Sequence, residues 1–407
     1  MKRVVITGMG TISAFGDNWS EFEGHLRSKK NSVVQVPKWQ DVKGLHTRLA
    51  APIPNFVKPS HYTRKQTRSM GRVSVMATRA TEIALEQSQL LGSDTLTNGD
   101  TGISYGSSIG STPPIVGFGD LLKSHDMSGI TATSYIQMMS HTTAVNLGVF
   151  FSVKGRIHTT SSACTSSSQG IGYAYEAIKF GKQKVMIAGG AEELCISAVA
   201  VFDTLFATST LNDQPQLTPR PFDVDRDGLV IGEGAGTLIL EEYEHARARG
   251  ATILAEVVGF ATNSDGMHVT QPNSNTMGIA MEMALQDAAL PASEIGFVSA
   301  HGTATDKGDI AETTATERVL GKHKPISSLK SYLGHTLGAC GAIEAWSSIE
   351  MMNHQWFAPT IQLNNIDPEC GDLDYITGEG KNIDTEFVMS NNFAFGGINT
   401  SLIFKRV

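Results

Sequence analysis

The chain has 407 residues, of which 41% are hydrophobic and 18% charged, too apolar and too weakly charged to stay disordered. Its 32 basic and 40 acidic side chains leave a formal charge of −8, the wrong sign for a nucleic-acid binder. No run of about 18 apolar residues marks a membrane span, and Cys164, Cys195, Cys340 and Cys370 show no CxxC spacing, which excludes a zinc ribbon or dithiol site and suits a reducing cytoplasm.

The short apolar stretch after Lys2 and Arg3 is broken by glycine and makes a poor signal peptide. Strands are predicted over 3–6, 101–105, 185–188, 237–240, 253–258, 296–300, 387–389 and 401–404. Helices are predicted over 73–90, 165–180, 277–289, 310–319 and 342–354. Such alternation points to an α/β fold with a mainly parallel sheet and helical crossovers. A faint duplication runs through it. The helix SVMATRATEIALEQS and the segment TGISYGSSIG have counterparts in MGIAMEMALQDAAL and IGFVSAHGTAT. HTTSSACTSSSQGIGYAYEAIK is matched by ISSLKSYLGHTLGACGAIEAWSSIE, and GEGAGTLILEEYE by FGGINTSLIFKRV. The order is the same in both copies. This predicts two similar halves, 1–251 and 252–407, with a site where equivalent loops meet.

Cys164 lies in TTSSACTSSS just before a helical pattern, where the dipole favours thiolate and small neighbours leave room for an electrophile. It reads as a nucleophile or as a buried structural thiol; the other three cysteines read as structural. His301 ends the apolar strand IGFVSA, and His335 sits in GHTLGA before a helix. Strand ends entering loops are where α/β proteins place catalytic groups. Lys330 and Glu344 flank His335 and either orient a histidine or are a solvated lysine and helix glutamate. FAFGGIN, residues 393–399, pairs two phenylalanines with glycines, a gate over an apolar cavity or a tight turn. GMGTIS at 8–13 lacks the third glycine and the downstream acid of a dinucleotide site, and GEGAG at 232–236 precedes a strand, so no nucleotide cofactor is expected. Residues 58–79 hold Lys58, Arg64, Lys65, Arg68, Arg72 and Arg79 and no acid. Arg64, Arg68 and Arg72 fall on one helical face, which either steers an acidic partner or is simply solvated.

Taken together, RVVITGMGTIS, SSAC, AGGAEEL, RPFDVDRDGLVIGEGAG, SDGMHVTQP, HGTATDKGD, SLKSYLGHTLGACG and SNNFAFGGIN resemble an elongating β-ketoacyl-acyl-carrier-protein synthase along essentially the whole chain. The resemblance implies a thiolase-like fold of two βαβαβαββ halves in an α/β/α/β/α layering, and a cytoplasmic homodimer without metal or cofactor. It implies that Cys164 carries the acyl group and that His301 and His335 act on malonyl carrier protein, with Lys330 and Glu344 beside them. Phe395 matches the gating residue whose amide joins that of Cys164 in an oxyanion hole, with Phe393 beside it. Thr303 and Thr305 match pantetheine contacts, Ile109 an acyl-pocket position, and Lys65 and Arg68 the docking site for the acidic carrier protein. The implied reaction is a decarboxylative condensation giving 3-ketoacyl carrier protein and carbon dioxide, in fatty acid elongation. Asp306, Ala394 and Ile398 depart from the family's usual proline, glycine and threonine, and Asp306 and Ala394 keep a specialised polyketide or polyene pathway open. The second histidine disfavours a thiolase or a starter-unit enzyme, and Cys164 disfavours a non-catalytic chain-length partner.

Overall fold

The computed structural model describes residues 1–407. Eleven strands form the central sheet. They are β1 (Val4–Ile12), β2 (Thr101–Gly106), β3 (Ile157–Thr160), β4 (Val185–Glu192), β5 (Gly234–Glu242), β6 (Ala255–Ser264), β7 (Ile295–Ser299), β8 (Pro325–Ser327), β9 (Asp374–Tyr375), β10 (Phe387–Ala394) and β11 (Ile398–Lys405). Six helices pack on them: α1 (Arg72–Gln87), α2 (Thr142–Phe151), α3 (Ser166–Lys179), α4 (Ser274–Ala288), α5 (Asp306–Leu320) and α6 (Cys340–His354).

The strand order is β9-β8-β7-β10-β11-β6-β1-β5-β4-β2-β3. Outward from the antiparallel β1–β6 seam, the order β1, β5, β4, β2, β3 on one side mirrors β6, β11, β10, β7, β8 on the other. This is the sequence duplication made visible, and it gives the two similar α/β halves of a thiolase-like fold. The expectation of a mainly parallel sheet is corrected. Only the outer pairs are parallel, and the inner ones are antiparallel. A three-residue link suffices between antiparallel β10 and β11, whereas parallel neighbours need a crossover.

Three hydrophobic clusters account for the layers. One lies between α1, α2 and the first half's strands. Another lies between α4 and the second half's strands. The largest lies in the middle, where Ile171 and Ile178 of α3 and Ile343 and Trp346 of α6 share a core with strands of both halves. The strands run longer than predicted because their glycines are not ends. A Cβ on Gly8 or Gly10 would lie 2.1 Å or 2.2 Å from the α1 carbonyls of Ala84 and Ala80, so these positions are close helix–sheet contacts inside β1.

The basic segment departs from a single helical face. A short helix, Arg64–Thr67, is closed at its start by a Thr63–Gln66 capping box, and α1 begins afresh at Arg72 after Gly71. Arg72 is bound by Glu233 through two hydrogen bonds (2.9 and 2.7 Å) and Arg79 by Glu82 (2.5 Å), which leaves Lys58, Arg64, Lys65 and Arg68 on the surface outside any ion pair.

Candidate active site

In each half the chain leaves an outer strand of the sheet and passes through a turn that leads into a central helix. In the first half, β3 runs into a tight turn at Ala163–Thr165 and then α3. Ala163 is held at φ +50°, a left-handed conformation costly for a residue with a side chain, and the turn aims Cys164 inward. In the second half, Leu337 repeats the feature at φ +49° before α6. His335 lies just upstream. Its N–H donates to the Val230 carbonyl (2.7 Å), and its own carbonyl accepts from Gly232 (2.8 Å), which clamps its backbone. His301 follows β7. The backbone N–H groups of His301 and Gly302 donate to the two carboxylate oxygens of Glu312 on α5 (both 2.7 Å).

These elements bring Cys164, His301 and His335 together. His335 Nε2 is 2.9 Å from Cys164 Sγ, and the sulfur and one nitrogen of each ring lie within 4.8 Å of one another. The imidazoles meet edge to face with centroids 5.1 Å apart. All three are buried. They open onto a cavity of about 530 Å³ whose walls include Phe393, Phe395, Thr303 and Thr305. That size suits an organic substrate of moderate length. The Thr303 and Thr305 hydroxyls are 2.9 Å apart, and the half-buried Phe395 ring meets Phe202 edge-on.

Behind the site, Lys330 is buried and paired with Glu344. Burial opposes its charge, but the facing Glu344 carboxylate more than compensates, so Lys330 is held protonated. Burial, and then the Lys330 charge, hold His301 and His335 well below the ordinary imidazole range, so both rings are neutral. Cys164 corrects the sequence expectation of a resting thiolate. Burial pushes the thiol up to about 11, against the pull of the Phe395 amide, Lys330 and its own amide. Desolvation of a buried anion outweighs the helix terminus here. Those two amides both face the sulfur, where an oxyanion would be received.

Ile109 is not among the cavity walls; its amide donates to Glu192 (3.2 Å). Lys65 and Arg68 lie on the surface away from the cavity. Cys340, read as structural, packs against Cys164 and donates its thiol to the Cys164 carbonyl (3.2 Å). Sequence reasoning missed Glu312, Glu192 and Asn392. Glu192 is buried and accepts from the amides of Ser108 (2.7 Å) and Gly338 (3.0 Å), tying the two halves together. The register of the duplication was the one signal that could have exposed such residues. GMGTI, residues 8–12, lies in β1, so both glycines are in a strand and form no phosphate-binding turn.

Residues 1–246 match the N-terminal domain, and residues 254–364 the C-terminal domain, of the β-ketoacyl synthase family. A 3-oxoacyl-[acyl-carrier-protein] synthase 2 of Vibrio harveyi is 36% identical over 414 residues, covering 100% of this chain and 99% of that protein. The crystal structure of a β-ketoacyl synthase from Burkholderia phymatum STM815 superposes with a TM-score of 0.99 at 62% identity, covering both chains fully (100% of each). A type II polyketide ketosynthase solved with its acyl carrier protein and a bound hexaketide superposes at 0.87 with 30% identity, over 100% of this chain and 99% of that one. This chain therefore belongs to the β-ketoacyl synthase family.

Proposed function

We propose that this chain is an acyltransferase that condenses a Cys164-bound acyl group with malonyl carrier protein to give 3-ketoacyl carrier protein. The observation that carries this is the meeting of one buried thiol and two neutral imidazoles at one cavity. Cys164 attacks the thioester of an acyl carrier protein. The tetrahedral oxyanion lies between the amides of Cys164 and Phe395, and one such donor contributes about 3–4 kcal/mol. The carbon–sulfur bond to the carrier breaks, and the thiol proton ends on the departing pantetheine sulfur.

Malonyl carrier protein then enters. The Leu337 amide donates to His335 Nδ1 (3.3 Å), which places the ring's proton on Nε2, facing the cavity. Neutral His301 and His335 donate to the malonyl thioester carbonyl and stabilise the enolate formed as carbon dioxide leaves. The enolate carbon attacks the acyl-Cys164 carbonyl, a carbon–carbon bond forms, and the Cys164 sulfur departs and is reprotonated. Burial, and then the Lys330 charge, keep the imidazoles neutral through this cycle. Thr303 and Thr305 contact the pantetheine arm, Phe393 and Phe395 gate the cavity, and Lys65 and Arg68 receive the acidic carrier.

The test separates the two half-reactions. Cys164→Ala loses acyl transfer but still releases carbon dioxide from malonyl carrier protein. His301→Ala and His335→Ala lose that release while Cys164 is still acylated. Decarboxylation that survives in both histidine variants defeats the assignment.

Fatty acid elongation is the pathway favoured by the full-length likeness to 3-oxoacyl-[acyl-carrier-protein] synthases. A specialised polyketide pathway is the second reading, because Ala394 packs against Cys164 where the family usually has glycine. Turnover of carrier-bound chains of varied length and unsaturation decides between them.

The halves divide at 251/252, between the two family matches. A homodimer is supported by the exposed edge strand β3 and by Val116, Leu122, Met127 and Val149, all exposed within the neighbouring segment 113–157. Sedimentation of the purified protein reads its mass directly. No helix is long and apolar enough to cross a membrane, and the four cysteines are unpaired, which fits a cytoplasmic enzyme.

A further inference from the structure

One buried thiol and two buried imidazoles within 4.8 Å of one another are also the ligand set of a tetrahedral zinc site. What distinguishes the two uses is the atom behind each ring. A ligating imidazole offers a bare Nε2 and donates its Nδ1–H to an acceptor. A ring that donates to a substrate carbonyl needs the opposite tautomer, with a hydrogen-bond donor behind Nδ1.

Both rings here have donors behind them. Behind His335 stands the Leu337 amide, which as backbone can only donate. Behind His301 stands the side chain of Asn392, on β10, with Nδ2 3.4 Å from Nδ1. A side-chain amide can be turned over, so its orientation needs a reason. The same Nδ2 lies 2.7 Å from Glu344 Oε2, and the other Glu344 oxygen is held by Lys330. Turning the amide would set its oxygen against a carboxylate. One Nδ2 hydrogen therefore goes to Glu344, and the other faces His301 Nδ1, with the weaker sulfur acceptor of Cys340 at 3.6 Å beside it.

Resting on the assignment of Cys164, His301 and His335 made above, we propose that Asn392 is a positioning residue. It holds His301 in the Nε2–H tautomer, and so keeps the three groups a donor pair beside a nucleophile and not a metal cage. Lys330 and Glu344 act through it, since their ion pair sets which way the amide faces. The corresponding position of the first half, by sheet register, is Gly190, which pairs with Gly236 as Asn392 pairs with Thr400. No other strand position offers this group to His301.

The experiment measures malonyl carrier decarboxylation, Cys164 acylation and inhibition by zinc chloride in the wild type, Asn392→Ala, Asn392→Asp and His301→Ala. Asn392→Ala is expected to lower the decarboxylation kcat by about 10–100-fold, the usual cost of losing such an outer partner, with KM and acylation little changed. Asn392→Asp puts an acceptor behind His301. It is expected to lose decarboxylation and to be inhibited at about 10–100-fold less zinc than the wild type, reversibly with a chelator. A residue that only supports packing would not change zinc sensitivity. Should Asn392→Asp fail to fold, the nitrogen-15 shifts of His301, identified by their absence in His301→Ala, decide the matter in the wild type: a bare Nδ1 supports the proposal, and a protonated Nδ1 overturns it. Wild-type decarboxylation and zinc response in both Asn392 variants also overturn it, provided His301→Ala is inactive. An active His301→Ala instead removes the functional assignment itself.

Discussion

The two halves repeat one fold but spend it on different chemistry. At the turn before each central helix the backbone does the same thing, with Ala163 at φ +50° and Leu337 at φ +49°. In the first half the next residue is Cys164. In the second it is Gly338, where a Cβ would meet Glu192 Oε2 at 2.6 Å and the Ser108 amide at 2.7 Å. The strands differ in the same way. β4 carries Gly189-Gly190 where β10 carries Asn391-Asn392. A Cβ on Gly190 would lie 2.5 Å from the Gly338 carbonyl. The first half thus supplies the nucleophile and otherwise yields space. The second half fills that space with imidazoles and the polar groups that hold them. A duplicated fold can build an asymmetric site because small residues in one copy admit the side chains and turns of the other.

The sharpest break of this contrast is functional. Removing the first half's contribution with Cys164→Ala, or the second's with His335→Ala, should each lower overall condensation by at least about 100-fold. They should differ in which half-reaction survives, as carbon dioxide release and acylation assays read.

Next in size is Lys330→Ala. It leaves Glu344 as an unpaired buried carboxylate and should cost about 3–5 kcal/mol in denaturant unfolding. Because Lys330 depresses both imidazoles, its loss raises their pKa values. Decarboxylation by any folded fraction should then show an acid limb at higher pH than the wild type, which stays flat through the ordinary imidazole range.

Gly190→Ala probes the yielding half. Its methyl meets backbone and the Ser167 Cβ at 2.7 Å, and a loss of about 1–3 kcal/mol is expected in the same unfolding measurement. The matching Asn392→Ala removes atoms and should cost less stability but more decarboxylation.

The thiol itself gives a pH test. With Cys164 pushed up to about 11 by burial, its alkylation by iodoacetamide should rise about tenfold per unit from pH 7 to pH 10. A plateau near neutrality would restore the helix-terminus thiolate.

The smallest effect lies outside both halves' shared core. Reversing Lys65 and Arg68 to glutamate should raise KM several-fold for carrier-bound substrates at low salt. It should leave a short pantetheine thioester unaffected.

Much of this was legible in the chain. The repeat, the order of elements and the three reacting side chains all announced themselves by local pattern. What stayed hidden were properties of long-range packing. Glycines in β1 looked like strand ends because the helix pressed against them lies about 75 residues further along the chain. Lys330 read equally as a surface lysine, since nothing local shows that Glu344 will meet it in the interior. The Cys164 thiol was misjudged because a helix terminus is visible in sequence and the depth of burial is not. Asn392 carried no local signal beyond its register in the duplication, since its role depends on a carboxylate 48 positions away and an imidazole 91 positions away.

The hairpin of β10 and β11 has a consequence for how the site comes together. Cys164 stands about 230 residues before Phe395 and Asn392 in the chain, yet it depends on the amide of the one and sits beside the histidine held by the side chain of the other. Both contributions ride on that one pair of strands, which lies beside β6 and β7, so the Phe395 amide at the sulfur and the Asn392 contact to His301 stand or fall with its docking. The docking of one hairpin therefore completes both ends of the site together.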